Sequence, residues 1–249
     1  VNNAIVVIPT YNEQENISLI IDAVLALPKD FDILIVDDNS PDGTAEIVKH
    51  LQQGYNTAAN SRLHLLQRQG KQGLGTAYLA GFAYALEHGY EFILEMDADF
   101  SHDPKDLVKL YLSCAEEGYD LSVGSRYVTG VNVVNWPMGR VLLSYFASAY
   151  VRLITSLPIH DTTAGFVCYR RKVLETIPLH EVKFVGYAFQ IEMKFTAWKY
   201  GFNLTEVPII FTERVRGQSK LSAGIFKEAF FGVIQMTIKS WFRKYIPAT

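Results

Sequence analysis

Residues 92–99 read Phe92-Ile93-Leu94-Glu95-Met96-Asp97-Ala98-Asp99, a short apolar run ending in two carboxylates one residue apart. The run has the length and composition of a buried strand. Both carboxylates then arrive at the carboxyl edge of a sheet, where α/β proteins bind ligands. Mg²⁺ and Mn²⁺ prefer oxygen ligands and complete their shells with substrate phosphates more readily than with further protein groups. The pair therefore points to a phosphorylated substrate, although a solvated strand-to-helix turn carries the same pattern.

Working outward, residues 4–9 form a β-branched run followed by helical spacing over 17–27. The couple recurs as strand 32–37 with helix 44–51, and strand 63–66 with helix 76–87. Pro104 opens a further helix, and 121–123 supply another strand. Such alternation predicts an α/β fold with a mostly parallel central sheet flanked by helices. After Arg126 the alternation lapses into a Gly/Asn/Pro loop, an apolar helix over 139–157, a strand near 166–169, two more helices and a strand. No repeat or low-complexity linker divides 1–249, which reads as one domain with an amphipathic helical segment at 221–246.

A net charge of −3 and a pI near 6.1 exclude the strongly basic footprint of a nucleic-acid protein. Cys114 and Cys168 lie far apart, with neither disulfide-framework nor zinc spacing, so a reducing, cytoplasmic setting is expected. The chain starts directly on a strand, without the pattern of a signal peptide. It has no run of the roughly 20 apolar residues that span a bilayer.

Pro9-Thr10-Tyr11-Asn12-Glu13 closes the first strand, and Val36-Asp37-Asp38-Asn39-Ser40-Pro41-Asp42-Gly43-Thr44 closes the second. In a parallel sheet both turns open on the edge that carries Asp97 and Asp99. Asp38 can accept from a ribose hydroxyl or a base amide, and Tyr11 offers a flat face to a base. Asn12, Asn39, Ser40 and Gly43 are also plain turn formers, so it is the convergence of three acidic strand ends that favours function. Arg68, Lys71, Gly73 and Gly75 form a basic loop entering a helix, which suits either a phosphate or a helix cap. Downstream, Arg126, Arg140, Arg214 and Lys220 are the cations able to offset clustered phosphates, or else solvated surface charge.

Taken in order, Pro-Thr-Tyr-Asn-Glu, Val-Asp-Asp-Asn-Ser-Pro-Asp-Gly-Thr, Gly-Leu-Gly-Thr-Ala-Tyr, Met-Asp-Ala-Asp-x-Ser-His-Asp-Pro, Gly-Ser-Arg-Tyr, Asn-Trp-Pro-x-x-Arg and Arg-x-x-Gly-x-Ser-Lys closely resemble the dolichol-phosphate (polyprenol monophosphate) mannose synthases among the family 2 glycosyltransferases. The resemblance runs from residue 5 to about 221. It implies a GT-A fold, GDP-mannose as donor, a divalent cation (Mg²⁺ or Mn²⁺), and inverting transfer of mannose to a polyprenyl phosphate. By motif it implies donor contacts from Pro9, Tyr11, Glu13, Val36, Asp38, Asp97, Ala98, Asp99, Arg214 and Lys220. It puts the catalytic carboxylates at Asp97 and Asp99, the metal positions at Asp99 and Ser101, and acceptor-phosphate contacts at Arg126, Arg140 and Ser144. Serine is a weak neutral metal ligand, and some relatives carry glutamine there.

A phosphate monoester has a second pKa of about 6, so this acceptor arrives ionised and needs no general base. Glu95 and His102 are accordingly read as structural. From 223 onward, Phe226, Phe230, Val233, Ile234, Thr237, Ile238 and Trp241 form one apolar stripe. Arg214, Arg216, Lys220, Lys227, Lys239, Arg243 and Lys244 outnumber Glu213 and Glu228. A stripe of this kind packs on a sheet or lies peripherally on the cytoplasmic face of an anionic membrane. Two other readings stay open: a UDP-sugar (UDP-glucose) enzyme acting on a polyprenyl phosphate, and a non-catalytic nucleotide-sugar-binding protein.

Overall fold

The computed structural model describes residues 2–58, 60–186, 188–214 and 223–246, with 223–229 as backbone alone. The first half alternates as the periodicity predicts: β1 (Ala4–Thr10), α1 (Ile17–Leu25), β2 (Asp32–Asp37), α2 (Thr44–Tyr55), β3 (Leu63–Gln67), α3 (Leu74–Glu87), β4 (Phe92–Glu95), α4 (Asp106–Ala115) and β5 (Leu121–Ser125). A two-residue β6 (Val133–Val134) and the long α5 (Met138–Thr155) follow, then β7 (Val167–Arg170), α6 (Arg171–Thr176), α7 (Ala188–Lys199), β8 (Leu204–Pro208), the short β9 (Phe211–Thr212) and α8 (Ala223–Phe242).

Seven strands form one sheet in the order β3-β2-β1-β4-β7-β5-β8, and β6 pairs with β9 beside it. Only β7 runs antiparallel to its neighbours, so its amino-terminal end lies at the edge where the other six strands end. The loop entering β7, residues 161–166, thereby joins the turns after β1, β2, β4 and β5. Strands buried on both faces read as continuous apolar runs, as β1 and β2 do. One face packs on α1, α2 and α4 through Ile17, Ile20, Val48 and Leu110; the other packs on α3 and α7 through Tyr78, Phe82, Phe189 and Met193. At Gly81 a Cβ would lie 2.4 Å from Val7 Cγ1, so only glycine lets α3 sit this close to β1.

α8 packs one part of its surface on the protein and leaves another part exposed. Val233, Thr237 and Ser240 are buried, Val233 in a cluster with Val151 and Ile191. Phe230, Phe231, Ile238, Trp241 and Phe242 are exposed. Neighbouring α5 is also exposed along Met138, Leu142, Leu143, Phe146 and Leu153, and Tyr150 stacks on Phe230 at 4.7 Å. Among the described residues no helix is long and apolar enough to cross a membrane. Cys114 and Cys168 are both free and buried.

Candidate active site

The turn after β4 delivers Asp97 and Asp99 to the wall of a cavity of ≈ 650 Å³. Asp99 is buried; its Oδ1 accepts from Ser101 N at 3.0 Å and from Ser101 Oγ at 2.5 Å, while its Oδ2 lies 2.6 Å from Arg214 Nη2. Ser101 thus orients the carboxylate, and Arg214, the cation assigned to phosphates, sits on the carboxylate assigned to metal. Withdrawal from water and the adjacent Asp99 charge push Asp97 up to about 7, against the pull of Arg214 and of Tyr78, whose hydroxyl lies 3.4 Å away.

Whether these groups suit a divalent cation follows from their chemistry. Among the described residues no cluster of three or more His, Cys, Asp or Glu would hold a metal by itself. Two carboxylates that repel one another and line a cavity with room for substrate phosphates are what Mg²⁺ or Mn²⁺ needs, so the residues fit such an ion once Arg214 yields Asp99 Oδ2.

The donor-side residues gather at the ends of β1 and β2. Asp38 Oδ1 lies 2.9 Å from Arg68 Nε, and Arg68 Nη2 donates to Thr76 Oγ1 at 2.9 Å. Arg68 therefore braces the second turn instead of reaching toward a diphosphate. Burial pushes the Asp38 carboxyl up, opposed by Arg68. Lys71 Nζ lies 5.0 Å from the centre of the Tyr11 ring, on the flat face that a base would use. Pro9 is half-buried near the end of β1; Val36 and Ala98 are buried in the apolar layers on the two faces of the sheet. Glu13 is buried close enough to Asp97 to raise its pKa. Lys220 lies outside the described residues.

On the other side β5 is followed directly by Arg126, which is buried and doubly bonded to Asp161: Nε to Oδ2 at 2.6 Å and Nη2 to Oδ1 at 2.6 Å. Burial raises the Asp161 carboxyl, but Arg126 and its hydrogen bonds outweigh this and hold it below the usual carboxylate range. Arg140, on the first turn of α5, donates to Glu213 Oε1 at 2.6 Å, and its guanidinium carbon lies 4.2 Å from the Trp136 ring. Ser144 Oγ accepts from Tyr127 Oη at 2.8 Å. Arg126, Arg140 and Ser144 line the same cavity as Asp97 and Asp99, together with the apolar side chains of Leu143, Phe146 and Phe230.

Behind the site a second ionic layer joins β4 to α7. Lys194 Nζ, fully buried, donates to Ala164 O at 2.6 Å; Gln190 Nε2 donates to Glu95 Oε2 at 2.7 Å. Burial pushes Glu95 up to about 8 and Lys194 down to about 8. His102, stacked on Phe166 at 4.7 Å, is pushed down to about 4 by burial and stays neutral. Sequence reading did not single out Asp161, Glu213, Gln190 or Lys194. Their signal, a charged or amide residue in an apolar stretch, exists for α7, but their partners depend on topology.

Residues 5–178 match the sequence profile of Glycosyl transferase family 2. The chain is a member of that family. The glycosyltransferase is 47% identical over 235 residues to polyprenol monophosphomannose synthase of Mycolicibacterium smegmatis, covering 94% of this chain and 87% of that one. It is 42% identical over 227 residues to undecaprenyl-phosphate mannosyltransferase of Micrococcus luteus, covering 91% and 90%. Among solved structures it resembles glucosyl-3-phosphoglycerate synthase from Mycobacterium tuberculosis in complex with Mn²⁺, UDP and glucosyl-3-phosphoglycerate, with TM-score 0.64 and 17% identity, over 100% of this chain and 82% of that one. A complex of the same enzyme with Mg²⁺ and UDP gives TM-score 0.64 at 18% identity, over 100% and 81%. At that identity the likeness shows the fold, which is the GT-A-like arrangement that the motifs imply.

Proposed function

We propose that this glycosyltransferase moves mannose from GDP-mannose to the phosphate of a polyprenyl (dolichyl) phosphate, with inversion, at a membrane surface. The observation that carries the reading is one cavity lined both by Arg126 and Arg140 and by the apolar side chains of Leu143, Phe146 and Phe230, a lining that suits a phosphate with a hydrocarbon tail. The two relatives named for mannosyl transfer to polyprenyl phosphates support the same chemistry.

The acceptor phosphate is ionised at neutral pH, so one in-line displacement at the anomeric carbon suffices and no proton must leave before attack. The two side chains nearest to serving as a base are poorly suited to it: His102 is stacked on Phe166 with its proton affinity lowered by burial, and the Glu95 carboxyl accepts from Gln190. Tyr11 and Asp38 would receive the nucleotide, and Arg126 and Arg140 the acceptor phosphate. Arg214, joined by Lys220, would meet the departing diphosphate. A divalent cation bound by Asp97 and Asp99, with Ser101 as orienting or weak neutral ligand, would supply positive charge there. The exposed apolar faces of α5 and α8 would rest on the bilayer from which the acceptor is drawn.

Transfer of radiolabelled sugar from GDP-mannose and from UDP-glucose to a defined polyprenyl phosphate, with Mn²⁺ present, tests donor, acceptor and activity together. Preference for UDP-glucose would replace the donor assignment, and absence of transfer from any nucleotide sugar would favour a binding protein.

A further inference from the structure

The motif Asn135-Trp136-Pro137 has no role in the reading above, yet Trp136 is the side chain that lies against both acceptor-side arginines. The centre of its ring is 4.2 Å from the Arg140 guanidinium carbon and 5.5 Å from that of Arg126. Its other neighbour is Phe211, at 5.1 Å and 66°. The backbone around it is stiff. Asn135 has φ 64, in the left-handed region, and Pro137 caps α5 with φ −58. An indole held this way is placed in advance of any ligand.

Its nitrogen is the unexplained part. Trp136 Nε1 is buried and has no hydrogen-bond partner among the described residues. An indole N–H can only donate, and a buried donor left unpaired is unfavourable. Trp136 lines the cavity between Arg126 and Arg140. A phosphate monoester there offers only acceptor oxygens.

We propose that Trp136 Nε1–H donates to a non-bridging oxygen of the acceptor phosphate, as a third donor beside Arg126 and Arg140. The two arginines supply charge, and the indole fixes the direction from which the phosphate is held. The contact discriminates a phosphorylated polyprenol from the free alcohol. This inference rests on the acceptor assigned above.

Trp136→Phe keeps an aromatic face for the arginines and removes the donor. It should raise KM for the polyprenyl phosphate about ten-fold or more, as loss of one hydrogen bond to a charged group does, and leave KM for GDP-mannose unchanged. Trp136→Leu, which also removes the aromatic face, should raise it further. A second readout needs no variant at this position. In a ¹H–¹⁵N spectrum of the wild-type protein, with its three indole signals assigned through Trp198→Phe and Trp241→Phe, the Trp136 indole proton should move downfield on adding farnesyl monophosphate and stay in place with farnesol. An unmoved indole signal, or an acceptor KM in Trp136→Phe equal to wild type, overturns the inference while leaving the function intact. Absence of transfer to any polyprenyl phosphate by the wild-type enzyme overturns the function and this contact with it.

Discussion

Arg214 Nη2 lies 2.6 Å from Asp99 Oδ2, so a guanidinium occupies the carboxylate proposed above to hold a divalent cation. The two cations then compete for one carboxylate. Arg214→Gln should raise the affinity for Mn²⁺ in the absence of nucleotide sugar, read by calorimetric titration, and still lower transfer on the order of 10²-fold by removing charge from the diphosphate. Asp99→Ala should abolish both. Equal Mn²⁺ affinity in Arg214→Gln and wild type would show that arginine and ion do not exchange.

Asp161→Asn should destabilise the protein at pH 7 by about 3 kcal/mol, because Arg126 loses the partner that neutralises it in a buried position. The sign of the pH effect follows from the depressed carboxyl pKa. The stabilisation is complete above the unfolded-state value of 3.8 and is lost as pH falls through the lower folded-state value. Urea denaturation should therefore show the gap between variant and wild type closing below that pH. A gap that widens in acid would contradict the assignment.

Lys194→Met should cost about 1–3 kcal/mol, since Ala164 O loses its buried donor and the raised Glu95 carboxyl loses the nearby cation that opposes its protonation. Glu95→Gln in the same background should recover part of the loss, because the two groups are coupled. Additive losses in thermal melts would mean that the pair does not interact.

Trp241 and Phe242, 71% and 86% exposed, can be changed to serine with little effect on folding. If they enter a bilayer, each contributes about 1.5–3 kcal/mol, so the double variant should sediment with anionic vesicles at least ten-fold more weakly. Deleting 223–249 should weaken binding too, and unchanged sedimentation of both proteins would remove α8 from the membrane contact.

Most of the first half was readable because each element there carries its own period. Strand 32–37 was placed to the residue, and α3 starts at Leu74, two residues before the reading, with Thr76 Oγ1 donating back to Gly73 O. The common edge that carries Asp38 and Asp97–Asp99 was legible because they follow strands whose direction is fixed by parallel pairing. The partners of the arginines were not. Asp161 is 35 positions from Arg126 and Glu213 is 73 from Arg140, and no local pattern links them. α7 hid its role for the opposite reason: it is buried nearly all round, so Gln190 and Lys194 break no stripe. β6 and β9, two residues each, are too short to show a period.

Because β7 lies between β4 and β5, the carboxylate pair and Arg126 rise from strands two places apart, about 10 Å at the usual strand spacing. That span belongs to the hydrogen-bonded lattice of the sheet, the least deformable part of the molecule. Lengthening a surface loop, exchanging the lipid or altering α8 would change what is captured and how firmly. The gap between the proposed donor-side carboxylates and the proposed acceptor-side arginine would stay the same, which makes the sheet a fixed gauge for that span.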